Sequence, residues 1–157
     1  AAAAASPGAE RPRIVSAQLR HLSPYGLVAD PREVSGVGRR FEANGIVAEG
    51  RMVFVAGQVG WNAQEKFETS DFAGQARQAL TNIVAILAEA GAGPEHICRM
   101  IWYLGDRHEY NASLKELGEA YREVIGRNFP VMTAIQVAGF VEKGAKLEIE
   151  VTAVLPD

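Results

Sequence analysis

Apolar and polar positions change period several times along this chain, and each change marks an element. Residues 146–155, KLEIEVTAVL, alternate without a break. Leu147, Ile149, Val151, Ala153 and Leu155 fall on one side, while Lys146, Glu148, Glu150 and Thr152 fall on the other. A period of two predicts a strand with one face in a core. RMVFVAGQ (51–58) and HICRMIWYL (96–104) are apolar on both sides, which predicts strands covered on both faces. FPVMTAIQV (129–137) begins at a proline stop and continues in mostly apolar, often β-branched residues, with Thr133 and Gln136 its only polar side chains. It predicts a further strand. Two shorter strands are expected upstream, in LRHL (19–22) and FEANGIVAEG (41–50), with a hairpin turn at Glu49-Gly50.

Two stretches carry the helical period instead. In residues 71–93, Ala76, Leu80, Ile83, Leu87 and Ala90 recur at steps of 4, 3, 4 and 3, which predicts one buried face. Ser70 or Asp71 supplies its N-cap and Gly91 its C′ glycine. The second helix is predicted over 109–126, with Leu114, Leu117, Tyr121 and Val124 as its stripe; Gly126 and then Pro130 end it.

The predicted order is β-β-β-α-β-α-β-β: an α+β fold, one mixed sheet with two helices on a single face. The other face then carries Val53 or Phe54 and one side each of 96–104 and 131–137. A lone chain would leave that apolar surface wet, so self-association is expected.

Composition narrows the partners. A chain of 157 residues suits one domain. The start, AAAAASPGAERPR, has nothing to pack; residues 1–17 are taken as a disordered or tag-like tail and 18–157 as the domain. A net charge of −3, with arginines and lysines dispersed among 19 acidic residues, argues against nucleic acid. No apolar run approaches the length of a membrane helix. The single cysteine, Cys98, excludes an internal disulfide and favours a reducing, cytoplasmic location.

Most chemical motifs fail on context. SGVGRRF (35–41) has glycines and two arginines, but neither a preceding strand nor a following helix for a phosphate loop. His21, His96 and His108 are scattered; His96 and Cys98 share i, i+2 spacing, but zinc needs two more ligands. Cys98 sits mid-strand as a small hydrophobe, and there is no Gly-x-Ser-x-Gly elbow. Glu148 and Glu150 remain. They are either a solvated strand face or, if copies cover that face, carboxylates that need a partner and can serve as a general base.

VFVAGQVG (53–60), QARQALTNIVAILAEAG (75–91), HICRMIWYLGD (96–106), FPVMTAIQV (129–137) and KLEIEVTAV (146–154), in this order, resemble the YjgF/RidA family, also labelled endoribonuclease L-PSP. The resemblance spans roughly 41–155. It implies a chorismate-mutase-like fold, a barrel-forming homotrimer with pockets between subunits, and hydrolytic deamination of enamines and imines without a cofactor. Within that pattern Glu148 matches the water-positioning glutamate, and Gly57 and Ala134 match residues that touch ligand through their backbone. Ala56 replaces a frequent serine, Phe41 falls near a pocket tyrosine, and Gly118 stands at a pocket asparagine. The family's Pro-Ala-Arg-Ser reads Pro130-Val131-Met132-Thr133, so Met132 stands where an arginine clamps the substrate carboxylate. Met132, Phe41 and Trp61 would form an apolar wall. Arg39, Arg40, Arg99 and Arg127 are candidate replacement cations. The implied activity is a hydrolase for a small substrate less anionic than 2-aminoacrylate. A non-catalytic, metabolite-binding trimer is the alternative, and an endoribonuclease is disfavoured by the acidic balance.

Overall fold

A computed structural model of the chain describes residues 13–14, 46–48 and 50–156. The elements are β1 (Arg13–Ile14), β2 (Ile46–Val47), β3 (Arg51–Val59), α1 (Phe72–Glu89), β4 (Ile97–Leu104), α2 (Arg107–Ala112), α3 (Leu114–Val124), β5 (Val131–Gln136) and β6 (Leu147–Leu155). A short 3-10 turn, Pro94–His96, precedes β4. β1 and β2 pair antiparallel as a separate two-stranded ribbon. Thus Arg13 and Ile14, within the stretch taken as a tail, pair with Val47 and Ile46. The segment 19–22 and the turn residue Glu49 lie outside the described residues.

The main sheet runs β3-β6-β4-β5. β6, last in the chain, is inserted at its centre and runs antiparallel to both neighbours. β4 and β5 are parallel, so the chain between them must return along the sheet, and α2 with α3 does this. Helices α1 and α3 pack together, with α1 against β3 and β6.

α1 forms where the periodicity places it. The Asp71 side chain accepts from the Gly74 N–H at 2.7 Å, closing the first turn. At the other end Gly91 adopts φ 74°, which lets the Ala92 N–H reach the Leu87 carbonyl at 2.9 Å. Ala76, Leu80, Ile83 and Leu87 are buried; Ala90 is the exposed C-cap and is not part of that face. The core joins this stripe to Leu147, Ile149, Val151, Ala153 and Leu155 of β6 and to Met100, Trp102 and Leu104 of β4.

The second helix differs from the expectation. It starts earlier, at Arg107, because the Asp106 carboxylate caps it by accepting from the His108 N–H at 2.7 Å. It then breaks at Ser113 (φ −100°, ψ 9°), whose N–H is shared between the Glu109 and Tyr110 carbonyls. Leu114 opens α3 and is 47% exposed, so the buried stripe is Leu117 and Tyr121, with Val124 packed at its edge. His96 lies in the 3-10 turn and not on β4, which begins at Ile97.

One buried polar side chain ties three segments together. Gln75, 1% exposed, donates to the carbonyls of Thr69 and Gly144, both at 3.0 Å, and accepts from the Lys146 N–H at 2.9 Å. It fixes the loop that feeds β6 onto the start of α1. Gln75→Leu keeps comparable bulk but orphans these groups, so the expected loss is about 2–4 kcal/mol. Urea unfolding at fixed protein concentration measures it; a loss below about 0.5 kcal/mol would contradict the role assigned to Gln75.

Candidate functional site

Register assigns every strand residue to a face, because cross-strand partners share one. β6 places Glu148, Glu150 and Thr152 away from the helices, opposite Tyr103, Ile101 and Arg99 of β4. β3 adds Phe54 opposite Thr152 and Met52 opposite Val154. Val53, by contrast, pairs with Ala153 on the helix side. β5 adds Val131, Thr133 and Ile135 opposite Arg99, Ile101 and Tyr103. No helix among the described residues covers this face, and Phe54 (73%), Met52 (58%) and Ile135 (47%) are exposed. The second face of β3, expected to be covered, carries the exposed Met52 and Phe54, and no described helix packs on it.

A charged strip crosses this apolar surface. The Tyr103 phenol is pushed above its usual value first by desolvation, then by the charge of Glu150 and a hydrogen bond to it; Arg99 opposes the shift. Arg99, Tyr103 and Glu150 thus form one electrostatic group. The sequence hint is their period-two spacing within 99–103 and 148–150, although the two-sided apolar character of β4 masked Tyr103.

Glu148 sits at the end of the strip, where β3 bulges. Val55 pairs with Val151 and Gln58 with Ile149, so Ala56 and Gly57 together oppose Glu150 and fall outside the register. Gln58 Nε2 donates to the carbonyls of Ala56 at 3.1 Å and Gly57 at 3.2 Å, which holds the bulge. The Glu148 carboxylate lies against Gly57. A Cβ at position 57 would overlap Glu148 Oε1 and stand 2.7 Å from Cδ and 2.9 Å from Cγ. Gly57 and Glu148 therefore meet within one chain, with Ala56 next to Gly57 in the bulge.

The remaining candidates lie elsewhere. Met132 pairs with Met100 and packs against the helix-side core, and Ala134 pairs with Trp102 on the same side. Glu148 faces the opposite way, with β4 between the two strands. One chain does not bring Met132 and Glu148 together; a site containing both needs a second copy. Thr133 is exposed on the open face. Trp61 follows β3, its ring 6.2 Å from that of Phe67 and its carbonyl accepting from Asn82 Nδ2 of α1 at 3.0 Å. Gly118 is buried in α3. Arg99 lies on the open face and Arg127 is exposed beyond α3. Phe41, Arg39 and Arg40 lie outside the described residues. Among those described, no group of three or more His, Cys, Asp or Glu could hold a metal ion, and no helix is long and apolar enough to cross a membrane. Burial raises the Cys98 thiol, and its Sγ contacts the His96 carbonyl, which suits a packed residue and not a nucleophile.

Residues 40–155 match the family model described as Endoribonuclease L-PSP. The chain belongs to the YjgF/RidA family. Among curated YjgF/RidA relatives it is 30% identical over 105 residues to the human 2-iminobutanoate/2-iminopropanoate deaminase, covering 66% of this chain and 73% of that protein. The Escherichia coli K12 protein of the same name is 31% identical over 105 residues, covering 67% and 80%. A solved Rid-family protein from Yersinia pestis, of unknown function, superposes with a TM-score of 0.72 over 93% of this chain and 100% of that one; at 23% identity this shows the YjgF/RidA fold alone. Escherichia coli TdcF with bound serine matches with a TM-score of 0.58 at 29% identity, covering 80% and 95%.

Replacing Glu150 by Gln removes both the charge and the ionised acceptor that hold the Tyr103 phenol up. Its ionisation should then move downward in pH. Spectrophotometric titration, with Tyr103→Phe used to isolate this phenol, checks it; an unchanged or raised transition contradicts the grouping.

Proposed function

We propose that the chain is a cofactor-free enamine/imine deaminase whose sites form where copies meet in a homotrimer. The observation that carries this reading is the Glu148 carboxylate, seated at the β3 bulge on the uncovered sheet face. The names of the human and Escherichia coli relatives support the reaction class, and TdcF with bound serine supports a small ligand. In the proposed step Glu148 takes a proton from water as the oxygen adds to the C=N carbon. The carbinolamine then collapses, nitrogen leaves as ammonia after receiving protons, and a carbonyl product remains. An enamine first takes a proton at carbon to become the imine.

Substrate preference follows from position 132. An arginine clamp on a carboxylate contributes about 1.5–3 kcal/mol, roughly 10- to 150-fold in affinity, and methionine supplies none of it. Met132 suits an apolar or aromatic group. The substrate is thus a small imine less anionic than 2-iminopropanoate, held by Met132, Thr133 and Ala134 of one copy and by Ala56, Gly57 and Glu148 of its neighbour, with Phe41 and Trp61 as further wall. Cytoplasmic residence fits the lone Cys98. The packing of Met132 into the core favours one second reading, a trimer that binds such a metabolite without converting it. The acidic balance weighs against a ribonuclease.

Purified protein mixed with a panel of imines and enamines, with ammonia followed against the uncatalysed rate, tests the proposal. Uncharged or aromatic imines should turn over faster than 2-iminopropanoate, and Glu148→Gln should lower turnover by about 100-fold or more. No acceleration on any substrate, or an unaffected Glu148→Gln variant, overturns it; binding by calorimetry without conversion selects the second reading.

A further inference from the structure

We infer that Gly57 is a positioning residue: its missing side chain is the seat that holds the Glu148 carboxylate at the β3 bulge. As a role in the reaction, this rests on the deaminase reading; as a steric fact, it stands independently. A glycine inside a strand weakens it, losing backbone entropy and packing, so its presence needs a cause. Backbone conformation is not that cause. The glycines with positive φ among the described residues are Gly50, Gly91, Gly126 and Gly144, and Gly57 is not one of them. At position 57 the backbone itself would accept alanine.

What forbids a side chain is the neighbour on β6. Oε1 of Glu148 occupies the space of a Cβ at 57, and Cδ and Cγ crowd it at 2.7 Å and 2.9 Å. By comparison, a Cβ at Gly91, Gly126 or Gly139 would meet nothing within 4 Å. The three atoms nearest that Cβ all belong to the Glu148 side chain, and none is backbone. Adding a methyl group should therefore swing the carboxylate aside with little cost to the fold. The bulge supplies the rest of the geometry: it lifts Ala56 and Gly57 out of register, and the Gln58 amide pins both carbonyls. Glycine, bulge and carboxylate form one device that fixes where a proton-accepting oxygen stands.

The test is Gly57→Ala, alone and combined with Glu148→Gln, in the full chain. Crystals of the single variant should show the Glu148 carboxylate rotated off position 57, with an unchanged trimer and melting temperature. On the imine that the unmodified protein turns over best, kcat should fall by roughly 100-fold, the scale of a misplacement near 1 Å. KM is not the deciding readout, because Gly57 and Glu148 also hold the substrate in the proposed site; the fall in kcat, and its disappearance in the double variant, is. In the Glu148→Gln background the same methyl group should change kcat by less than about twofold, because the two changes act through one group. An unmoved carboxylate overturns the seat. A moved carboxylate with unchanged kcat, or a rise confined to KM, overturns the positioning role. Should the unmodified protein turn over no imine, the deaminase reading fails, while the crystals still decide the seat.

Discussion

Strand β6 alternates between a sealed side and a charged side, and its central position makes that alternation rigid. Leu147, Ile149, Val151, Ala153 and Leu155 are buried against α1, β3 and β4. Burying each large aliphatic side chain favours the fold by about 1.5–3 kcal/mol. A slip by one residue would drive Glu148, Glu150 and Thr152 into that core and turn the aliphatic side chains outward. The core therefore fixes where the two glutamates stand. Since β6 hydrogen-bonds on both edges, the strand cannot relax to avoid the arrangement.

The same constraint leaves an open question for solvent. α1 and α3 serve one side of the sheet, so the side bearing Arg99, Tyr103, Glu148 and Glu150 also displays Met52, Phe54 and Ile135. An apolar rim around charged groups is costly to hydrate and poor at excluding water from a reaction. In the proposed trimer, other copies would cover it and bring Met132 of one chain towards Glu148 of another. The arrangement has a chemical consequence: in the proposed interface, the Tyr103 hydrogen bond keeps Glu150 partnered while Glu148 stays beside the bulge.

Much of this was legible in the sequence for physical reasons that differ from element to element. The Asp71 cap, the Gly91 terminus and the β6 alternation are local patterns, and local patterns survive folding. The split at Ser113 was missed because Leu114, Leu117, Tyr121 and Val124 all lie beyond it in α3, so their spacing carries no sign of the break. Yet Asp106 with Glu109 three residues later was a readable start signal. The facing of Met132 was not legible: Val131–Gln136 is apolar on both sides, so only its pairing with β4 decides. The bulge was hidden too, because its register depends on β6, some ninety residues away. The match over 40–155 supports the recognised family, and the strand register sorts the candidate residues onto opposite faces.

The mass of the protein in solution bears most directly on the central claim, that three copies cover the open sheet face and create the sites between them. Sedimentation equilibrium at micromolar concentration should give the mass of three 16.9 kDa chains, stable on dilution across that range. A stable particle of one chain's mass would leave Phe54 and Glu148 in open water and contradict the account.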